Sequence, residues 1–152
     1  MPFMNKHIVA IDDSDSILNF LRISLEALGA RFHGAATASG GLALCESDRP
    51  DLIVLDLGLP DKEGFDILPR LKRLDKEGGL PVIVLTVRNS REDRDMAAQL
   101  GASAYITKPF IMDELIRHIK ALLKIDSPPY LKLITPGESD NEDQFQTTDS
   151  IR

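Results

Sequence analysis

Tryptophan is absent from this chain of 152 residues, and aromatic side chains make up only 5% of it. Aliphatic side chains must therefore fill whatever core it builds. Cysteine occurs once, at Cys45, so no internal disulfide can form. That usage suits a reducing compartment, and Cys45 reads as a small apolar residue of a helix. Long hydrophobic runs are missing as well: no segment approaches the roughly 20 apolar residues needed to span a bilayer. The opening stretch, Met-Pro-Phe-Met-Asn-Lys-His, reaches a charge too soon for a signal peptide or a membrane anchor. A cytoplasmic location without membrane contact is the expectation. Excess positive charge is also lacking. A net charge of −6 gives no electrostatic case for direct DNA binding by this chain.

The apolar fraction, 43%, is that of an ordinary globular protein of one domain with a short appendage. Short apolar runs alternate with helical patterns along most of the chain. Ile8 to Ile11 forms a fully apolar run that ends at Asp12 and Asp13. Leu18, Leu21, Leu25 and Leu28 then recur at helical spacing, with Ser14 or Asp15 to cap the helix and Gly29 to close it. Arg31 to Ala36 reads as a strand and Ser39 to Ser47 as a short helix. Leu52 to Leu55 is a second strong strand, ending at Asp56. A turn-rich stretch, Leu57 to Gly64, leads to a helix carrying Phe65, Leu68, Leu71 and Leu74. Pro69 predicts a kink or a late start there, because it removes a hydrogen bond and crowds the preceding turn. Gly78 and Gly79 end that helix. Val82 to Leu85 is the next strand, ending at Thr86, and a polar helix follows from Arg91 to Leu100. Ala102 to Thr107 makes a last strand, ending at Lys108 and Pro109, before a helix over Met112 to Leu123.

Strands alternating with helices predict an α/β fold, a parallel sheet covered by helices on both faces. Continuous apolar strands fit burial on both sides. Right-handed crossovers leave an open, doubly wound five-stranded sheet as the best arrangement, in the flavodoxin-like order 2-1-3-4-5. A closed eight-stranded barrel would need about 250 residues. Residues 1–6 read as a lead-in and 7–124 as the domain. Residues 125–152 read as an acidic tail, rich in Asp, Glu, Gln, Ser and Thr and expected to be disordered. Within it, only Tyr130 to Ile134 is apolar enough to dock. Too few residues follow Lys124 for a further folded effector domain, so a stand-alone domain and a fragment of a longer regulator both remain open.

In an open parallel sheet, ligands bind beyond the carboxyl ends of the strands, where the strand order reverses. The residues there are Asp12, Asp13, Asp56, Thr86 and Lys108. Clustered carboxylates repel one another and raise each other's pKa unless compensated. A hard divalent cation such as Mg²⁺ resolves that conflict, and a nearby lysine adds positive charge. Mg²⁺, Lys and a free carboxylate are what phosphoryl transfer requires, and an aspartate so placed can attack phosphorus to form an acyl phosphate.

With these residues in view, roughly residues 6 to 124 resemble the CheY-like receiver domains of two-component response regulators. The matching stretches are Ile8 to Asp13, Leu55 to Asp61, Val84 to Thr86, and Tyr105 to Phe110. The resemblance implies that Asp56 accepts a phosphoryl group from a sensor histidine kinase or a histidine phosphotransfer protein. Asp13 would bind Mg²⁺ (or Mn²⁺) directly and Asp12 largely through water, with Asp56 and the Gly58 backbone carbonyl as further ligands. Lys108 would pair with the phosphoryl oxygens, aimed by a cis peptide bond before Pro109. Thr86 would swing toward the phosphoryl group and Tyr105 would turn inward behind it. A downstream protein would read the face formed by the fourth helix, fifth strand and fifth helix. Homodimerisation through that region is left open. Such a domain is no enzyme in the usual sense, since it turns over only its own phosphoryl group.

Two positions depart from the family pattern. Val87 stands directly after Thr86, where a small residue is usual, and predicts hindered access to the acceptor. Gly58, two residues after Asp56, offers no side chain to orient a hydrolytic water. Gly58 also argues against a haloacid-dehalogenase-type phosphatase, which needs a second aspartate there. Two aspartates after the first strand argue against a flavin-binding flavodoxin. The alternative that remains is a receiver-like interaction module independent of phosphorylation. His7, His33 and His118 are scattered in sequence and suggest neither a metal cluster nor a catalytic dyad. Arg88, Arg91 and Arg94 read as a solvated face.

Overall fold

Strands and helices alternate strictly along the chain in the computed structural model, which describes residues 1–77 and 79–125. Gly78 and the tail beyond Ile125, with Tyr130 to Ile134, lie outside the described residues. The strands are β1 (His7–Ile11), β2 (Arg31–Ala35), β3 (Leu52–Leu55), β4 (Val82–Thr86) and β5 (Ala104–Thr107). The helices are α1 (Asp15–Glu26), α2 (Ala38–Ser47), α3 (Gly64–Lys72), α4 (Arg91–Gln99) and α5 (Met112–Leu122). All strand pairs are parallel, in the order β2-β1-β3-β4-β5. The doubly wound sheet expected from the sequence is the one found.

Every residue of β1, β3 and β4 is buried. Successive side chains point to opposite faces of a strand, so the apolar runs feed two cores at once. Ile8, Ala10, Leu52, Val54, Ile83 and Leu85 meet Leu21 and Leu25 of α1 and Leu115 and Ile119 of α5. Val9, Ile11, Ile53, Leu55 and Val82 meet α2 and α3 on the other face. Cys45 belongs to that second core, where burial pushes its thiol up to about 12 and keeps it protonated. Under α4 the packing thins to Leu57, Val84 and Tyr105 around Ala97, the one buried residue of that helix.

Local chemistry sets the element ends. Ser14, Thr37 and Ser90 each accept an N–H from the first turn of the helix that follows. The third helix starts at Gly64, earlier than Pro69 suggested, and ends at Lys72, ahead of Leu74. Pro69 lies inside the helix as its sixth residue and leaves the Phe65 carbonyl without an intrahelical donor. The fifth strand begins at Ala104 instead of Ala102. Residues 1–6 do more than lead in. Phe3 is fully buried in the α1 and α5 core, and its N–H donates to the Leu28 carbonyl at 2.9 Å.

His7 and His33, distant in sequence, are neighbours in space, which corrects the scattered reading. Parallel register sets Val9 opposite His33, so the β1 and β2 histidines meet at the amino end of the sheet. His7 Nε2 lies 2.9 Å from His33 Nδ1 with the rings edge-on. Among the described residues no group of three metal-ligating side chains includes either of them. His7 Nδ1 is buried without a hydrogen-bond partner, its nearest carboxylate oxygen being that of Asp48 at 3.9 Å. Burial, then the Arg31 charge, hold the His7 pKa below its usual value, against the weaker pull of Asp48.

Two predictions arise here. A Cβ at Gly64 would stand 2.6 Å from the Asp56 carbonyl oxygen and 2.8 Å from the Leu57 Cα. Both are backbone and cannot step aside, so Gly64→Ala should lower stability by about 1–3 kcal/mol. Urea unfolding checks it, and a wild-type midpoint would contradict it. For His7, the unfolded chain takes up a proton near its ordinary pKa while the folded chain resists it. Folding therefore loses stability as pH falls through about 6.5. The stability gap between wild type and His7→Gln should narrow from about pH 7.5 to about pH 5.5; a constant gap would contradict the assignment.

Candidate functional site

Sheet register brings the strand-end residues to one place. Ile11 pairs with Leu55, Leu55 with Val84, and Thr86 with Thr107, so β1, β3, β4 and β5 stop nearly level. The next residues inherit that alignment. Asp12 N–H donates to the Ala35 carbonyl, Asp56 N–H to the Ile11 carbonyl, and Lys108 N–H to the Thr86 carbonyl, at 2.8–2.9 Å. Asp12, Asp13, Asp56, Thr86 and Lys108 thus gather at the carboxyl end of the sheet, where the strand order reverses between β1 and β3.

Carboxylate oxygens of Asp12, Asp13 and Asp56 lie within 4.8 Å of one another. Asp12 and Asp56 are 3% and 7% exposed, whereas Asp13 faces solvent. Lys108 Nζ sits 2.8 Å from Asp12 Oδ2 and 3.4 Å from Asp56 Oδ2. The Lys108–Pro109 peptide bond is cis. Asp12 Oδ1 accepts the Ser14 N–H at 2.9 Å, and Asp56 Oδ1 accepts the Gly58 N–H at 3.3 Å. Burial raises the Asp12 pKa, and the hydrogen bond from Lys108 offsets this only in part. Lys108 is itself raised: burial works against its charge, but Asp12 and Asp56 together outweigh burial. One ammonium pairs with two of the three clustered carboxylates. That surplus of hard oxygen donors is the chemistry of a divalent-cation site, and the residues present fit such an ion.

Behind this group, Thr86 is buried and its Oγ1 accepts the Arg88 N–H at 3.4 Å. Tyr105 is fully buried, and its hydroxyl donates to the Arg88 carbonyl at 3.0 Å. Burial, with help from Asp93, pushes the Tyr105 phenol up to about 12. Val87, the next residue after Thr86, is 71% exposed and leaves its isopropyl group in solvent. A Cβ built at Gly58 would meet no atom within 4 Å.

Sequence reasoning passed over some of the supports. Asp61 accepts the N–H groups of Ala38 and Ser39 and the Ser39 hydroxyl, at 2.8–2.9 Å, and so pins the loop after Asp56 to the start of α2. Those bonds, the Ser39 N–H foremost, pull its pKa down to about 2. The arginine trio is not uniformly a solvated face. Arg91 is exposed, but Arg88 pairs with Glu63 and Arg94 lies 5.0 Å over the Tyr105 ring. The signal for Asp61 was its place in the turn-rich stretch after the acceptor; nothing local announces a pairing between residues 63 and 88. Phe20 of α1 touches Phe110 after β5, and with Ile23 and Ile111 leaves apolar surface exposed.

Known proteins agree with this geometry. The family model for the response regulator receiver domain matches residues 8–120. The transcriptional regulatory protein KdpE of Mycobacterium tuberculosis is 40% identical over 119 residues, which cover 77% of this chain and 50% of KdpE. The alkaline phosphatase synthesis transcriptional regulatory protein PhoP of Bacillus subtilis is 35% identical, covering 80% of this chain and 50% of PhoP. The chain thus spans about half the length of these curated relatives. Among solved structures, a CheY-like receiver domain protein from Methanospirillum hungatei superposes with a TM-score of 0.74 at 35% identity, covering 78% of this chain and 94% of that one. The HemR receiver domain of Leptospira biflexa gives a TM-score of 0.73 at 30% identity, covering 82% and 98%. With the sheet order, the level strand ends and the acidic cluster all in agreement, this chain belongs to the receiver domains of two-component response regulators.

Proposed function

We propose that the chain accepts a phosphoryl group on Asp56 from a sensor histidine kinase or a histidine phosphotransfer protein. The observation that carries this reading is the Asp56 carboxylate, buried at the sheet end between Lys108 and two further aspartates. Asp12, Asp13, Asp56 and the Gly58 carbonyl would hold Mg²⁺ or Mn²⁺, with Asp13, the exposed carboxylate, bound directly and Asp12 largely through water. Bound there, the ion would offset charge on the carboxylates and on the incoming group. Asp56 attacks phosphorus as the donor's N–P bond breaks; the leaving imidazole keeps the electron pair and takes up a proton. Lys108, already paired with Asp56, follows the charge onto the phosphoryl oxygens. The Thr86 hydroxyl, which accepts the Arg88 N–H with its oxygen, has its proton available for one of those oxygens.

Output follows from anchorage. α4 has one buried residue, so its position is the one most easily shifted. New hydrogen bonds to a charged group contribute about 1.5–3 kcal/mol each. Two or three of them approach the roughly 5.5 kcal/mol that inverts a strongly biased two-state equilibrium. The α4, β5 and α5 face, with Tyr105 behind it, is where a downstream protein would sense the change. The chain would work in the cytoplasm beside its donor and turn over no substrate besides its own phosphoryl group. Any transcriptional role like that named for its relatives belongs to a whole regulator.

With Mg²⁺ and a phosphorylated histidine donor, intact-mass analysis should show a single phosphate adduct that Asp56→Asn abolishes. An adduct that survives the substitution overturns the assignment; no adduct from any donor favours the phosphorylation-independent module. Val87→Ala should speed phosphorylation by a small donor severalfold, since a branched side chain stands next to Thr86. Equal rates would remove Val87 from the account of access.

A further inference from the structure

Arg88 touches more of the site's moving parts than its position on the β4–α4 loop suggests. Its backbone N–H donates to Thr86 Oγ1, and its carbonyl accepts the Tyr105 hydroxyl. Its guanidinium reaches across to Glu63 at 2.5 Å, with a second carboxylate, Asp93, at 4.0 Å. The Phe65 ring centroid lies 5.9 Å from it and shields part of the charge from water. Glu63 is equally well connected. It occupies the N-cap position of α3, yet its side chain makes no capping bond there. It also pairs with Gly58 through an isolated antiparallel bridge, and the Gly58 N–H donates to Asp56 Oδ1. A continuous chain therefore runs from Asp56 through Gly58 and Glu63 to Arg88, and from Arg88 to Thr86 and Tyr105.

We infer that the Arg88–Glu63 ion pair is a latch joining the loop after Asp56 to the loop after Thr86, and that both are positioning residues. Closed, the latch fixes the Arg88 carbonyl where it holds Tyr105 inward, and it holds the Gly58 segment against the acceptor. Opened, it frees both loops at once, so Tyr105 samples solvent and the site is less well formed. A partly exposed pair contributes modestly, and the effect of cutting it is correspondingly about three- to fivefold. The kinetic half rests on the reading of Asp56 as phospho-acceptor; the structural half, the hold on Tyr105, does not.

The full chain carries two tyrosines, so Tyr130→Phe leaves Tyr105 as the single reporter in protein labelled with carbon-13 tyrosine. In that background Glu63→Gln and Arg88→Met should each move the Tyr105 ring resonances toward free-tyrosine positions. Each should also slow Mg²⁺-dependent phosphorylation by a small phosphodonor about three- to fivefold. The exchange of charges, Glu63→Arg with Arg88→Glu, should restore both readouts. Unmoved Tyr105 resonances in the single variants, or an exchange that restores neither readout, would overturn the latch. A moved Tyr105 with an unchanged rate would overturn its control of the site. If the parent protein takes no phosphoryl group, the proposed function fails, and the Tyr105 resonances alone decide the latch.

Discussion

Three carboxylates held within 4.8 Å of one another, with the Lys108 ammonium between two of them, set the terms for the whole carboxyl end of this sheet. Like charges packed this closely repel one another unless positive charge stands beside them. Lysine relieves part of this, which is why its own pKa rises although its side chain is largely buried. The remainder is a standing demand for positive charge. A divalent ion would answer it, and the proposed role of Asp56 as a nucleophile toward phosphorus rests on that arrangement.

Such a cluster persists only because the backbone overrides its repulsion. Two apolar cores clamp the strands from either face, and the register leaves β1 and β3 no freedom to slide apart. The loop after Asp56 is tied down separately, by Asp61 at the start of α2 and by the close seating of Gly64 under the Asp56 carbonyl. Against that rigid half stands α4, a polar helix anchored by Ala97. The end of the sheet that concentrates charge is thus tied down by several contacts, while the helix on the proposed output face is held by one buried residue.

Much of this was legible in the chain. Apolar runs such as Leu52 to Leu55, each ended by a polar residue, report strands buried on both faces, and their alternation with helices leaves little choice of topology. The strand-end residues could be named because a parallel sheet aligns its carboxyl ends. What could not be read depends on pairing between distant segments. His7 and His33 meet only through the β1–β2 register, and Arg88 finds Glu63 only once two loops are folded over the same site. Pro69 pointed to a kink or a late start, yet the helix begins at Gly64, because a single proline past the first turn removes one hydrogen bond without stopping the helix. Phe3 was passed over because a lone aromatic beside a terminus carries no periodicity, whereas its burial is a tertiary fact.

The most direct test is a crystal structure of the chain with Mg²⁺ and beryllofluoride, a mimic of the phosphoryl group. Beryllium should be bonded to an Asp56 carboxylate oxygen, with a metal ion held by Asp13, Asp56 and the Gly58 carbonyl, and with Lys108 and Thr86 on the fluorines. Beryllofluoride absent from Asp56, or bound there with the ion outside the aspartate cluster, would contradict the proposed function.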